Sequence, residues 1–318
     1  MSKKIDFFKY YGIILINERV DFVKVLNITK EELKNLKRMP LDESIYNTES
    51  KLFLINKGDV ESNGYFNETK VFKSINYKKG NYFGNKLNTL HLLIDNKDKI
   101  GIEKLVMPEK LITVDGTIEG FVMPYVENYN LGLVLQSKLS RRHKIDYMKQ
   151  IGGILRDIKD VRENRLKKDF YINDLHAGNL IVDNKDEVNV VDVDSFKIGD
   201  VRPFKSMYLD QISLIHLYPH KYRLQNDRIT PTEDTDLLCY TMIILDMLSM
   251  TKTHLLDQRE FFEYLNYLEE KGVNKKFVGS VRKLFSKYKN SNPEQYLDDL
   301  IYGEKDVSYD SFCKVKKR

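Results

Sequence analysis

Cysteine is scarce in this sequence. Cys239 and Cys313 stand far apart, with no CxxC pair and no His/Cys ligand spacing, which excludes a disulfide framework and a zinc site and makes a reducing compartment the expectation. Long apolar runs are missing as well: the aliphatic stretch Gly12-Ile13-Ile14-Leu15-Ile16 is too short for a signal h-region or a membrane span, so the expected location is cytoplasmic. The seven prolines are scattered, and no Pro/Gly-rich linker, low-complexity tract or fixed-period repeat marks a boundary. Nor does one sign of charge dominate. Fifty-two basic and 47 acidic residues give +5, interleaved as on an ordinary solvated surface. The like-charge run Lys316-Lys317-Arg318, with Lys314 beside it, reads as a solvated tail, so neither nucleic acid nor a membrane is an expected partner.

What is present suffices for a sizeable core: 318 residues, 42% hydrophobic and 11% aromatic, enough for one large domain or two lobes. Residues 1–50 read as an extension ending in a helix near Lys30 to Lys37. From 51 to 125 the chain favours short β-like runs: 51–55, 69–75, and 111–114 turning at Asp115-Gly116 into 118–122. One helical stripe interrupts them, Gly84 to Asp95, with Leu87, Leu90 and Ile94 at helical spacing. From 126 to 318 the pattern is mostly helical. Ile145, Met148, Ile151, Leu155 and Ile158 form a stripe between Arg141 and Val161, and Asp236 to Leu248 is apolar nearly all round, as expected of a helix buried on every side. Further helices are expected over 259–268, 277–288 and 293–301. The fold class is therefore α+β, a small β-rich N-terminal lobe followed by a larger helical one.

Between the long helices lies the stretch richest in chemistry, Phe170-Tyr171-Ile172-Asn173-Asp174-Leu175-His176-Ala177-Gly178-Asn179-Leu180-Ile181-Val182-Asp183, then Val188-Asn189-Val190-Val191-Asp192-Val193-Asp194-Ser195-Phe196. A polar turn leads into two β-like runs. Phosphoryl transfer from ATP needs a carboxylate to orient the attacking hydroxyl and oxygen ligands to hold Mg²⁺ on the phosphates, and this stretch carries both. Taken singly, Asp174 also suits an Asx-turn and Asp192 a strand end.

This segment resembles the protein-kinase superfamily, whose catalytic loop places Asp five residues before Asn and whose metal-binding Asp follows on the next strand. The resemblance implies a bilobal kinase-like fold, with ATP and Mg²⁺ as cofactors and a protein substrate. It makes Asp174 the catalytic base, Asn179 and Asp192 the Mg²⁺ ligands, and Asp194 either a second ligand or an N-cap for the following turn. If the strand continues that far, Asp192 and Asp194 point the same way. Met123-Pro124-Tyr125-Val126 resembles the hinge that meets adenine, with Met123 and Tyr125 as cofactor-binding residues. Lys73 resembles the lysine on the α- and β-phosphates, with Lys70 as its competitor. Asp236 resembles the aspartate on a buried helix that braces the catalytic loop; an ordinary first-turn Asp is the alternative.

Three departures bear on activity. Lys57 to Gly64 offers only two separated glycines in place of GxGxxG, and the Gly84–Asp95 helix contains no Glu to pair with Lys73. Asn173 replaces the usual Arg before the catalytic Asp, which argues against control by activation-loop phosphorylation. The leading expectation is a Ser/Thr protein kinase. A pseudokinase follows, then a small-molecule kinase, because Asp174-Leu175-His176-Ala177-Gly178-Asn179 also resembles the loop of aminoglycoside and choline kinase-like enzymes. His176 is expected to shape the loop, and Lys197 to Asp234 to form the activation and substrate-binding region.

Overall fold

The computed structural model describes residues 25–39, 50–60, 67–76, 80–202, 205–218, 221–222, 224–225, 228–286, 291–301 and 306–316. They fall into two compact units, one of residues up to Asn88 with Pro108–Tyr125, the other of Thr89–Met107 with the residues from Val126 onward. The architecture is mixed α+β, with the main sheet in the N-terminal part and helices dominating the C-terminal part.

The first unit is built on β1 (Val25–Ile28), α1 (Lys30–Asn35), β2 (Lys37–Arg38), β3 (Leu52–Ile55), β4 (Lys70–Ser74), the start of α2 (Gly80–Asp95), β5 (Lys110–Val114) and β6 (Thr117–Pro124). The strands form one six-stranded sheet in the order β1-β5-β6-β4-β3-β2, with β1 parallel to β5 and every other pair antiparallel. The β5–β6 hairpin turns at Asp115 and Gly116, both at positive φ, as a two-residue turn matched to strand twist requires. Gly120 on β6 cannot carry a side chain: a Cβ there would lie 2.1 Å from the Lys73 carbonyl oxygen. Ile28, Ile55, Phe72, Ile112 and Val122 make this unit's core. Two features differ from the sequence reading. α2 starts at Gly80, four residues before Gly84, and the extension before residue 51 supplies β1 and β2 to the sheet as well as a helix. The helix near Lys30 is there, started by a reciprocal capping box between Thr29 and Glu32.

The second unit contains α3 (Lys97–Ile100), β7 (Asn128–Asn130), α4 (Leu131–Gln136), α5 (Arg141–Asp160), β8 (Phe170–Tyr171), β9 (Leu180–Asp183), β10 (Val188–Val190), β11 (Lys197–Ile198), α6 (Met207–Gln211), α7 (Glu233–Ser249), α8 (Gln258–Glu270), α9 (Lys275–Leu284) and α10 (Tyr309–Lys316). α7 is its axis: every residue from Leu238 to Leu245 is buried, and each fully buried Leu or Ile there contributes roughly 1.5–3 kcal/mol. Tyr240 of α7 donates to the Met148 carbonyl of α5 at 2.7 Å, tying the two longest helices together.

β10, β9 and β7 form a small antiparallel sheet, and residues 104–106 run along the free side of β10, exchanging hydrogen bonds with Val190. Gln150 of α5 grips the hairpin tip, accepting from Val188 N at 2.7 Å and donating to Asp186 O at 3.1 Å. The helix expected over 293–301 is instead two 3-10 turns, Pro293–Tyr296 and Asp298–Leu300. Tertiary contact overrides local preference here, because the Glu294 carboxylate pairs with Arg156 and fills the space above Gly152.

Candidate active site

The loop after β8 hangs from α7. Ile172 N donates to Asp236 Oδ2 at 3.1 Å, and the backbone N–H of Asn173 bonds to the same side chain. Thr232 caps α7 and Glu233 begins it, so Asp236 lies in the first turn of the helix but does not open it. Burial pushes its carboxyl up to about 7, while the two amide bonds pull the other way. Asn173 then takes a left-handed conformation, φ +65°, which reverses the chain and delivers Asp174.

Asp174 is gripped on several sides. Ser206, the N-cap of α6, donates its hydroxyl to Oδ1 at 2.5 Å, and Asn179 Nδ2 donates to the Asp174 carbonyl at 3.0 Å and lies 3.4 Å from Oδ2. His176 Nε2 stands 3.6 Å from Oδ2. Burial alone would raise this carboxyl; His176, Ser206 and Asn179 together outweigh it and hold it below the usual aspartate range. The side chain stays 22% exposed, so it is an ionised hydrogen-bond acceptor with an open flank.

His176 shapes the loop. Its Nδ1 accepts from Gly178 N at 3.0 Å, which places the neutral ring's proton on Nε2, toward Asp174. A Cβ at Gly178 would lie 2.8 Å from His176 Cε1, so the close approach of ring and backbone needs glycine there. Asn130 Nδ2 reaches in from β7 to the Gly178 carbonyl at 3.1 Å.

The β9–β10 hairpin brings the remaining candidates together. Its register pairs Leu180 with Val190, and one step further Val191 N donates to Asn179 O at 3.0 Å, so Asn179 and Asp192 flank the same open end. β10 does not continue to residue 194. Asp192 is left-handed, φ +62°, and opens a 3-10 turn over Val193–Ser195. Asp192 and Asp194 are therefore not alternate residues of one strand, and Asp194 is neither exposed nor an N-cap: it is buried inside the turn, leaving half-buried Asp192 as the accessible carboxylate. Ser195 N and Oγ both donate to the Asp192 carbonyl, and Asn173 Nδ2 donates to the Ser195 carbonyl at 3.1 Å.

Among the described residues no group of three or more His, Cys, Asp or Glu is placed to hold a metal. The pair at the hairpin end nevertheless suits a hard cation. Asn179 commits its Nδ2 to Asp174, which turns its amide oxygen to the other side, and Asp192 adds a carboxylate. Mg²⁺ is commonly held by one or two such oxygens together with phosphate and water.

The sheet unit carries the other candidates. Lys70 is occupied: its Nζ lies 2.5 Å from Glu68 and 3.1 Å from Glu109. Burial works against its charge, yet the two carboxylates outweigh it and raise its pKa. Lys73, also buried, has its Nζ 5.9 Å from the Phe121 ring centroid. The ladder pairs Val71 with Met123 and Lys73 with Phe121, and Tyr125 is 39% exposed just past the end of β6. Gly58 sits at positive φ in the turn after β3, while Gly64 lies outside the described residues, as do Pro219 and His220 of the expected activation region.

Ser206 and Asn130 were not singled out from sequence. Each carried one usable signal, a capping residue just ahead of a short apolar helix, α6 for Ser206 and α4 for Asn130. An open groove lined by Gly272, Val273, Lys276 and Tyr296 shares no residue with this site. No described helix is long and apolar enough to cross a membrane. No family model matches the chain, and no curated protein matches it.

Proposed function

We propose that this chain is an ATP- and Mg²⁺-dependent phosphotransferase of the protein-kinase-like superfamily, with a bilobal kinase-like fold, and that it transfers the γ-phosphate to a Ser or Thr hydroxyl of a protein. The observation that supports the reading is the hydrogen bond from Val191 N to Asn179 O, which joins the loop of Asp174 and Asn179 to the strand end that leads into Asp192. An ionised aspartate, an amide and a second aspartate on these adjoining segments are the groups that phosphoryl transfer uses.

Asp174 accepts the hydrogen bond of the acceptor hydroxyl, orients its oxygen toward the γ-phosphorus and takes its proton as the new bond to phosphorus forms and the bond to the bridging oxygen breaks, releasing ADP. Ser206 on Oδ1 illustrates the geometry, a hydroxyl donating to this carboxylate. Asn179 and Asp192 hold Mg²⁺, which when bound neutralises the charge on the phosphates. Lys73, on the same face of β4 as Val71, serves the α- and β-phosphates. Met123 and Tyr125 serve the adenine.

The test is transfer from γ-labelled ATP with Mg²⁺ by the purified protein, beside Asp174→Ala, with label followed in protein, small molecules and free phosphate. Label in protein that falls by about 10²–10⁴-fold in the variant supports the proposal. Label in a small molecule would redirect it to a small-molecule kinase, and saturable ATP binding without transfer to a pseudokinase.

A further inference from the structure

We infer that Asn173 is a positioning residue for the metal-ligand turn, its neutral amide tying that turn to the loop that carries Asp174. The inference rests on the proposed function and adds to it a residue that touches neither nucleotide nor metal.

Asn173 is almost fully buried, and its Nδ2 donates to the Ser195 carbonyl, 22 residues further on, at 3.1 Å. Ser195 closes the turn that Asp192 opens, and its N and Oγ both donate back to the Asp192 carbonyl. Holding Ser195 therefore holds Asp192. On its other side Asn173 is bonded to Asp174, so a single side chain joins the loop of the base to the turn of the metal ligand.

The backbone agrees with this role. Asn173 and Asp192 are both left-handed, a conformation few residues other than glycine accept and one that asparagine and aspartate tolerate best. Asp236 fixes the first from below through the Ile172 and Asn173 amides; the Asn173–Ser195 bond links it to the second. An amide-to-carbonyl bond carries no net charge, so salt screens it little.

The experiment compares wild type, Asn173→Asp and Asn173→Gly. The Asp variant keeps size and left-handed tolerance but turns an acceptor toward the Ser195 carbonyl; the Gly variant keeps the backbone conformation and deletes the side chain. Amide hydrogen exchange is followed in the ligand-free proteins, and nucleotide binding is titrated with Mg²⁺. Both variants should show exchange about tenfold faster at Ser195 and Phe196, the weight of one buried hydrogen bond, with α7 unchanged, and about tenfold weaker apparent Mg²⁺ affinity. Mg²⁺-dependent binding in wild type with unaltered exchange or affinity in both variants overturns the inference and leaves the proposed function standing. Faster local exchange in a protein that binds no Mg²⁺-nucleotide overturns the proposed function, and the positioning role falls with it. Faster exchange throughout the chain would mark Asn173 as a general stability residue and overturn the role as well.

Discussion

The carboxylate of Asp236 accepts the backbone N–H of Ile172 at 3.1 Å, suspending the candidate catalytic loop from the most deeply buried helix of its unit. Burial holds this carboxyl at about 7, against about 3.9 in an unfolded chain. Between those values the folded state keeps a proton the unfolded chain has released, so this group's contribution to stability falls as pH rises through the window and is level above it. Asp236→Asn titrates in neither state. From about pH 4 to about pH 8, urea midpoints should show wild type losing stability relative to the variant; a pH-independent difference would show that the folded carboxyl is not shifted.

Ser206→Ala removes a cap and a hydrogen bond at once. Loss of the α6 cap should cost about 1 kcal/mol, read from denaturant unfolding. The Ser206 hydroxyl also helps hold Asp174 ionised, so without it the Asp174 pKa rises and the acid limb of the pH–rate profile moves to higher pH. Ser206→Thr, which retains the hydroxyl, should restore both. An acid limb that stays in place would separate Ser206 from Asp174.

Two glycines should respond in opposite directions. Gly178→Ala drives a methyl group against the His176 ring, and the expected result is a loss of about 1–3 kcal/mol together with weakened Mg²⁺-nucleotide binding. Gly279 lies inside α9, and a methyl group added there would meet nothing within 4 Å, so Gly279→Ala should stabilise by about 0.5–1 kcal/mol. Thermal melts of the two variants check both signs.

The two lysines of β4 should separate cleanly in nucleotide binding. Lys73→Met should lower ATP affinity at least about tenfold, whereas Lys70→Met, which removes an internal ion pair, should lower stability and leave ATP affinity within about twofold. Equal losses of affinity would return Lys70 to the site.

Local pattern carried much of this far. The all-round apolar run after Asp236 and the Asp-Gly turn between β5 and β6 are short-range signals, each with a direct physical reading, whereas the five-residue spacing from Asp174 to Asn179 had meaning only through a family resemblance. What escaped was long-range or cooperative. Ser206 reaches Asp174 across 32 residues and Asn130 reaches Gly178 across 48, and neither contact leaves a periodic trace. Asp192-Val193-Asp194 reads as alternation along a strand, yet one left-handed residue ends the strand and buries the second carboxylate. Residues 293–301 carry helical spacing that contact with Arg156 and Gly152 overrides.

The parallel pairing of β1 with β5 shields β5 from strand addition and passes the edge of the sheet to Val25–Ile28. Leu111-Ile112-Thr113-Val114 is a β-prone, uncharged tetrad whose outer row of N–H and C=O groups is covered by Val25–Ile28. A chain begun at residue 51 would leave that row open as a template for strand addition by another molecule. The opposite edge is guarded by a different means: β2 is only two residues long, Lys37 and Arg38, both exposed, and their charges repel an incoming strand.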